Sequence, residues 1–361
     1  MKMFEASRQV KSLSWVGDDL VDTVGGGIRW TPDGTEHRPE VPRTFAADFD
    51  RAVHSPSGRY SVVYQERGTQ ALLLDGGRPL RELDRSDYQA DASDYPVALA
   101  VLGSGREVLV HCPDEYNVLQ VEDTASGERL TTGPRDPKDV FHSRLSVSPD
   151  GRHVLMAGWV WQPYGVVEVY DLEEALSRAS ALDGPGLLPM NPGIDAEIAS
   201  ACWLDADRLA VATTADETLD DEETPALGTR QMGVWSLSGR RWLHRHQGDT
   251  AYGTLIPCGN RVVSLHGHPR LIDVADGTPV AQWPEVRVSR REGAYGVSHT
   301  PTPVAAPHPD GSLLAVAHDR GIAVLACGPA GRPLPGERDG GRDLDEVQVP
   351  APENRDGVTT G

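Results

Sequence analysis

Three sets of side chains in this chain are of types that could do chemistry. The first is acidic. Asp50, Asp94, Asp139, Asp195, Glu197 and Asp249 each precede a short apolar segment by a few residues. Carboxylates brought together would favour a divalent metal, a cation or a Lys/Arg-bearing peptide. The same residue types also cap turns in an acidic chain, which needs no ligand. The second set is imidazole: His111, His142, His266, His268, His299 and His318. Histidine binds zinc or copper and moves protons. The third is aromatic. "GWVWQPYG" carries Trp159, Trp161 and Tyr164, and Tyr95, Phe141, Tyr252 and Tyr295 stand in comparable places elsewhere. Exposed aromatics among acids suit an arginine side chain or a basic peptide. Buried between sheets, the same tryptophans would only be packing. A further run, Asp216, Glu217, Asp220, Asp221, Glu222 and Glu223, reads as a solvated loop or as bait for a basic partner.

What must position these groups is a recurring unit. A short apolar strand meets a Pro/Gly/Asp turn, then Arg and an alternating apolar strand. Copies read "AVHSPSGRYSVVYQ", "ALAVLGSGREVLVHC", "LSVSPDGRHVLMAG", "ACWLDADRLAVATT", "TLIPCGNRVVSLHG" and "AAPHPDGSLLAVAH", with a degenerate first copy, "LSWVGDDLVDTVGG". After each comes a third strand ending in a polar turn, as in "ALLLDGG", "VVEVYDLEEA" and "LIDVADG". A more variable fourth strand follows in most copies, as in "RPLREL" and "RRWLHR". A unit of this length is one propeller blade. A small sheet cannot bury both its faces alone, whereas radial stacking buries each against the next and closes the ring. The chain is therefore expected to be all-β, a seven-bladed β-propeller of four-stranded antiparallel blades (A to D), one domain over residues 1–335. Residues 336–361 read as a polar, flexible tail. Two segments compete to supply the last outer strand: Phe4 to Val10, and "RPLPGE" from Arg332. The segment "EEALSRASAL" after blade 4 reads as a short exposed helix that breaks at Asp183-Gly184-Pro185.

In such a ring the B–C and D–A loops share one face, here called the top. The A–B turns are short and alike, so the bottom reads as structural and the top as functional. Register separates the histidines. His111 and His266 hold the same strand-B position in blades three apart. His266, His268, His299 and His318 come from neighbouring blades 6 and 7, but His266 and His318 face opposite sides of their strands. They are the weak metal candidates.

The S-P-D-G-R turn followed by an alternating strand resembles bacterial WD40-like and TolB-type propeller repeats, over roughly Ser12 to Ala326. The resemblance implies a propeller used as a docking platform, with an enzymatic minority. It departs from true WD40 repeats: no Trp-Asp dipeptide ends a third strand, and Gly267-His268 sits in a B–C turn. That family's hydrogen-bonded Asp-His-Ser/Thr-Trp network is therefore not carried over.

The formal net charge of −20 opposes nucleic-acid phosphates. Lysine occurs only at Lys2, Lys11 and Lys138, an arginine bias that we ascribe to genome composition and not to mechanism. No segment reads as a signal peptide or a membrane span. Cys112, Cys202, Cys258 and Cys327 lie far apart and read as reduced thiols of a cytoplasmic protein. There is no P-loop, no H-E-x-x-H and no G-x-S-x-G. The expectation is a monomeric, non-enzymatic interaction module without cofactor. Its top face would bind a protein or basic peptide through Trp159, Trp161, Tyr164, Asp50, Asp94, Asp139, Glu197, Asp249 and Tyr252. The alternative is a metal-dependent hydrolase, lactonase or lyase at the channel mouth.

Overall fold

The computed structural model describes residues 1–161, 164–188, 196–214, 227–291 and 300–328. Within them the chain folds into seven small antiparallel sheets arranged in a ring, in sequence order. Blade 1 comprises Ser14–Val16, Asp19–Asp22, Ile28–Trp30 and Glu36–His37. Blade 2 comprises Arg51–His54, Tyr60–Tyr64, Gln70–Asp75 and Arg78–Asp84. Blades 5 and 6 begin with Ile198–Trp203 and Thr254–Cys258 and are also four-stranded. Blade 7 is built from Ala305–Pro307, Leu313–His318, Gly321–Ala326 and an outer strand from the other end of the chain.

That outer strand is Lys2–Phe4, which pairs antiparallel with the third strand of blade 7: Lys2↔Val324, Met3↔Ala323, Phe4↔Ile322. The N-terminus thus closes the ring, slightly earlier in the chain than the Phe4 to Val10 segment. Phe4 is buried in one cluster with Leu20 and Trp30 of blade 1 and Leu313 and Val324 of blade 7. Trp30 Nε1 donates to Glu5 O at 2.9 Å, and Trp15 Nε1 to Ala306 O at 2.9 Å. The seam between first and last blades is therefore both packed and hydrogen-bonded. The competing segment at Arg332 and the expected tail at residues 336–361 lie outside the described residues.

The repeated turn has a physical basis. In blade 4, Gly151 N donates to Ser148 O at 2.9 Å, and Ser148 Oγ to Asp150 Oδ1 at 2.5 Å. Gly151 has φ +74, and a Cβ there would stand 1.9 Å from Val101 O of blade 3. Both backbone conformation and the neighbouring blade therefore demand glycine. The arginine that follows the turn pairs with the aspartate that ends the third strand. Arg59–Asp75, Arg106–Asp123 and Arg152–Asp171 stand at 2.8, 2.7 and 3.1 Å. Their guanidinium groups are exposed to solvent, so the pairs fix register more than they stabilise.

Two blades depart from four strands. Blade 3 (Val97–Val101, Glu107–His111, Gln120–Asp123) has only an isolated bridge, Glu122↔Arg129, at its fourth position. Blade 4 (Ser146–Val147, His153–Val160, Tyr164–Asp171) passes into a helix, Leu172–Ser177, and a 3-10 turn, Ala179–Leu182. Asp171 caps the helix by accepting Glu174 N at 3.0 Å. Our expectation of an exposed helix is corrected here: Leu172, Ala175 and Leu182 are buried in the core shared by blades 3 and 4. Asp183 then accepts a two-pronged contact from Arg135, the closest at 2.6 Å. Among the described residues no helix is long and apolar enough to cross a membrane.

Gly321 sits where the clasp is tightest. Its φ is +131, and a Cβ would stand 2.1 Å from Phe4 O. Gly321→Ala is expected to strain this backbone and displace the N-terminal strand, at a cost on the order of 3 kcal/mol. At Gly103 an added Cβ meets nothing within 4 Å, so Gly103→Ala is expected to change little. Urea denaturation midpoints of the two variants check both statements.

Candidate interaction surface and channel mouth

The antiparallel meander places the B–C and D–A connections at one end of the ring, and most of the sequence-derived candidates gather there in two groups. The first lies at the channel mouth. Asp94, just ahead of blade 3, is buried and accepts Arg291 Nη2 on both carboxylate oxygens, at 2.9 and 2.7 Å. Arg291, also buried, stands in the connection between blades 6 and 7 and donates to Glu66 Oε1 at 3.1 Å. Glu66, in the B–C loop of blade 2, also accepts Arg51 Nη2 at 2.7 Å and Thr302 N at 2.9 Å. Arg67 approaches Asp94 at 3.7 Å. Asp50 accepts Glu66 N at 2.7 Å. These contacts tie blades 2 and 3 to the entry of blade 7, across the mouth.

This changes the meaning of the acids. The converging carboxylates, Asp94 and Glu66, are matched by the chain's own guanidinium groups, and Asp50 is satisfied by a backbone amide. They therefore do not form an open funnel for a cation. Glu197 lies beside the network and accepts Gly165 N at 3.1 Å. Asp249 is exposed, and Asp195 lies outside the described residues. Among the described residues no group of three or more His, Cys, Asp and Glu side chains is placed to hold a metal ion. The arginines Arg51, Arg67, Arg144 and Arg291 were missed by sequence reasoning. The signal was present, since "FDR", "YQERG", "FHSR" and "SRREG" set them in the same top loops as the acids. Arg144 donates to Ala157 O at 3.0 Å and Ala199 O at 2.7 Å, with φ 47. Burial and the nearby Arg291 charge push its guanidinium down to about 10.

The histidines do not converge either. His111 is buried at the rim of blade 3, 3.4 Å from Glu122. His142 is buried beneath the blade 4 entry with Nε2 3.2 Å from Asn117 O. His268 Nε2 faces Gln282 Oε1 at 3.4 Å in blade 6, and His266 pairs opposite it in the same hairpin. His318 lies in blade 7 beside Asp319 at 3.1 Å. His299 lies outside the described residues, as do Tyr295 and the acidic run Asp216 to Glu223.

The second group is aromatic and spans blades 2 to 4. "GWVWQPYG" is largely not a loop. Strands B and C of blade 4 run on as an eight-residue pair to Val160↔Tyr164, and Phe141 bridges to Trp159. Trp159 is fully buried, its ring stacked on Phe141 at 3.8 Å and 2°. It is packing and presents no surface to a partner. Tyr252 and Tyr95 are buried too, and Tyr164 is half-buried against the core of blades 3 and 4. Trp161, by contrast, is 45% exposed and stands edge-on to Trp159 at 5.2 Å. On the other side of Phe141 lies Tyr116 at 4.3 Å, then Tyr88 at 5.1 Å from Tyr116. Tyr88 is 47% exposed. Tyr116 Oη donates to the exposed Asp139 at 2.6 Å. Burial and then this carboxylate push the Tyr116 phenol up to about 12. The result is a rim of Tyr88, Tyr116 and Trp161 on a buried Phe141–Trp159 base, edged by exposed Asp87, Glu115 and Asp139. Tyr88 and Tyr116 were not among the sequence candidates.

No protein-family model matches the chain, and no curated protein matches it in sequence. Solved structures do resemble it. A chain of the mitotic checkpoint complex aligns with a TM-score of 0.60 at 14% identity, covering 91% of this chain and 95% of that one. A chain of the hydrazine synthase of Kuenenia stuttgartiensis aligns with a TM-score of 0.55 at 14% identity, covering 89% and 97%. At such identities the likeness carries the architecture alone, a seven-bladed β-propeller.

Two outcomes follow from the buried groups. Arg291→Met removes the charge that matches buried Asp94 and Glu66, and is expected to cost about 3–5 kcal/mol in a denaturation experiment. His142 is held down to about 4, chiefly by burial, from an ordinary 6.5. An imidazole neutral when folded contributes stability that is complete above 6.5. That contribution is lost as pH falls toward 4, because the unfolded chain binds the proton first. The midpoint of His142→Asn should therefore fall less over that pH interval than that of the unsubstituted protein.

Proposed function

We propose that the protein is a propeller interaction module whose top face, over blades 2 to 4, binds an arginine-bearing segment of a protein partner. One observation carries this reading: a rim of exposed Tyr88 and Trp161 and half-buried Tyr116 beside Asp139, standing on the stacked Phe141–Trp159 pair. A guanidinium placed over a tyrosine or tryptophan face is attracted by the ring quadrupole, and a nearby carboxylate supplies a charge-assisted hydrogen bond. Rings already held by stacking lose little freedom on binding, so more of the contact energy remains as affinity. The overall negative charge of −20 would steer a basic partner toward the protein at low salt. The solved propeller from a mitotic checkpoint complex belongs to a multiprotein assembly, which fits a docking use of the fold.

Of the residues first singled out, Trp161 and Asp139 fall on this surface. Glu197 and Asp249 lie elsewhere on the top face, and Trp159 acts as the base. Display selection of peptides on the intact protein should enrich arginine-containing sequences. Trp161→Ala and Tyr88→Ala should each weaken a selected peptide roughly tenfold or more, with unchanged thermal unfolding because both rings are exposed. Asp139→Asn should weaken it less and flatten its salt dependence. Enrichment of sequences without basic residues, or affinity indifferent to Trp161 and Tyr88, would rule the reading out.

A further inference from the structure

On the other side of the ring, at the seam between blades 7 and 1, lies a cavity of about 600 Å³. Its walls are the N-terminal segment behind the clasp, residues 287–289 and 301–304 between blades 6 and 7, and the B–C turn of blade 7. Arg8, Arg287 and His318 line it together with Val10, Val288 and Val304. Its size is that of a small-molecule site.

The cavity is positively charged in a chain with 34 Lys and Arg against 54 Asp and Glu. Arg8 and Arg287 are both exposed and make no hydrogen bond or ion pair to any described residue; the acid that feels Arg287 is Asp319. Arg8 Nη2 instead lies against Gly26, close enough that a Cβ there would stand 3.0 Å away. His318 adds a second, independent sign. Its side chain is fully buried, Nδ1 faces Asp319 Oδ1 at 3.1 Å, and Nε2 has no hydrogen-bond partner. A buried ring nitrogen without a partner costs free energy unless something supplies one.

We propose that this cavity is a binding site for a small organic oxyanion, a carboxylate or phosphate with a short apolar body. Arg8 and Arg287 hold the anionic head. His318 Nε2 supplies a polar contact, and Val10, Val288 and Val304 pack the apolar part. The site is separate from the aromatic rim and does not depend on what binds there. Two guanidinium groups, one from the N-terminal segment and one from the stretch after blade 6, give an anion the paired, charge-assisted contacts that a single surface cation does not.

The test is calorimetric titration of phenyl phosphate, benzoate and inorganic phosphate into the full chain at low ionic strength, with phenol as the neutral control. Saturable one-site binding of phenyl phosphate or benzoate, tighter than inorganic phosphate and absent for phenol, is expected. The tighter of the two identifies the head group. The double variant Arg8→Gln, Arg287→Gln should lose roughly tenfold or more in affinity. Val288→Trp, which fills the cavity and leaves both arginines in place, should lose binding to the same degree. Circular dichroism melting confirms that the variants are folded. No saturable binding below about 10 mM, or binding unchanged in a folded arginine variant, would overturn the proposal.

Discussion

Each blade of this protein has two apolar faces and only its neighbours to bury them, so every blade depends on the ring being shut. The closing contact is a strand of three residues, Lys2–Phe4, on the third strand of blade 7. It succeeds because Phe4 is shared by the cores of blades 7 and 1 and because Gly321 admits the Phe4 carbonyl where a Cβ would collide. Backbone pairing and side-chain burial act at one point, and Trp15 and Trp30 donate to backbone carbonyls on either side of it. The clasp therefore turns seven small sheets into one cooperative structure.

The same logic explains the channel mouth. Strand A of each blade points its entry toward the centre, and the polar groups that end there leave water together. Asp94 and Glu66 are too buried to remain as isolated charges. Arg291 matches both, with Arg51 also on Glu66, and the Arg291 contacts link parts of the ring that are not adjacent. A site that seemed, from acids alone, suited to a cation is instead an internal brace. The two binding sites we propose lie elsewhere, at the aromatic rim over blades 2 to 4 and in the seam cavity between blades 7 and 1.

The sequence made much of this legible. Seven recurrences of a short turn between two apolar strands are enough to fix an all-β ring, because the turn chemistry is local. The arginine after most of the turns is a visible pattern; its pairing with the aspartate that ends the third strand is not. Less was legible at the termini and in blade 4. A three-residue strand carries no periodicity, so the clasp could not be told from its rival at Arg332. The helix after blade 4 showed its cap and its break, but not that Leu172, Ala175 and Leu182 fill the core left by a missing fourth strand.

The two tryptophans of "GWVWQPYG" mark where local information stops. Their spacing put both on one side of an extended strand, and nothing in the sequence separated them. The fold buries Trp159 on Phe141 and leaves Trp161 in solvent, with Tyr88 and Tyr116 brought from 73 and 45 residues upstream of Trp161 to complete the rim. Likewise Asp94 and Arg291 are 197 positions apart. Architecture follows from repeated short-range rules, which a sequence states many times. Which side chains are spent inside and which remain to meet a partner depends on contacts between blades, each made once, and only the closed ring decides them.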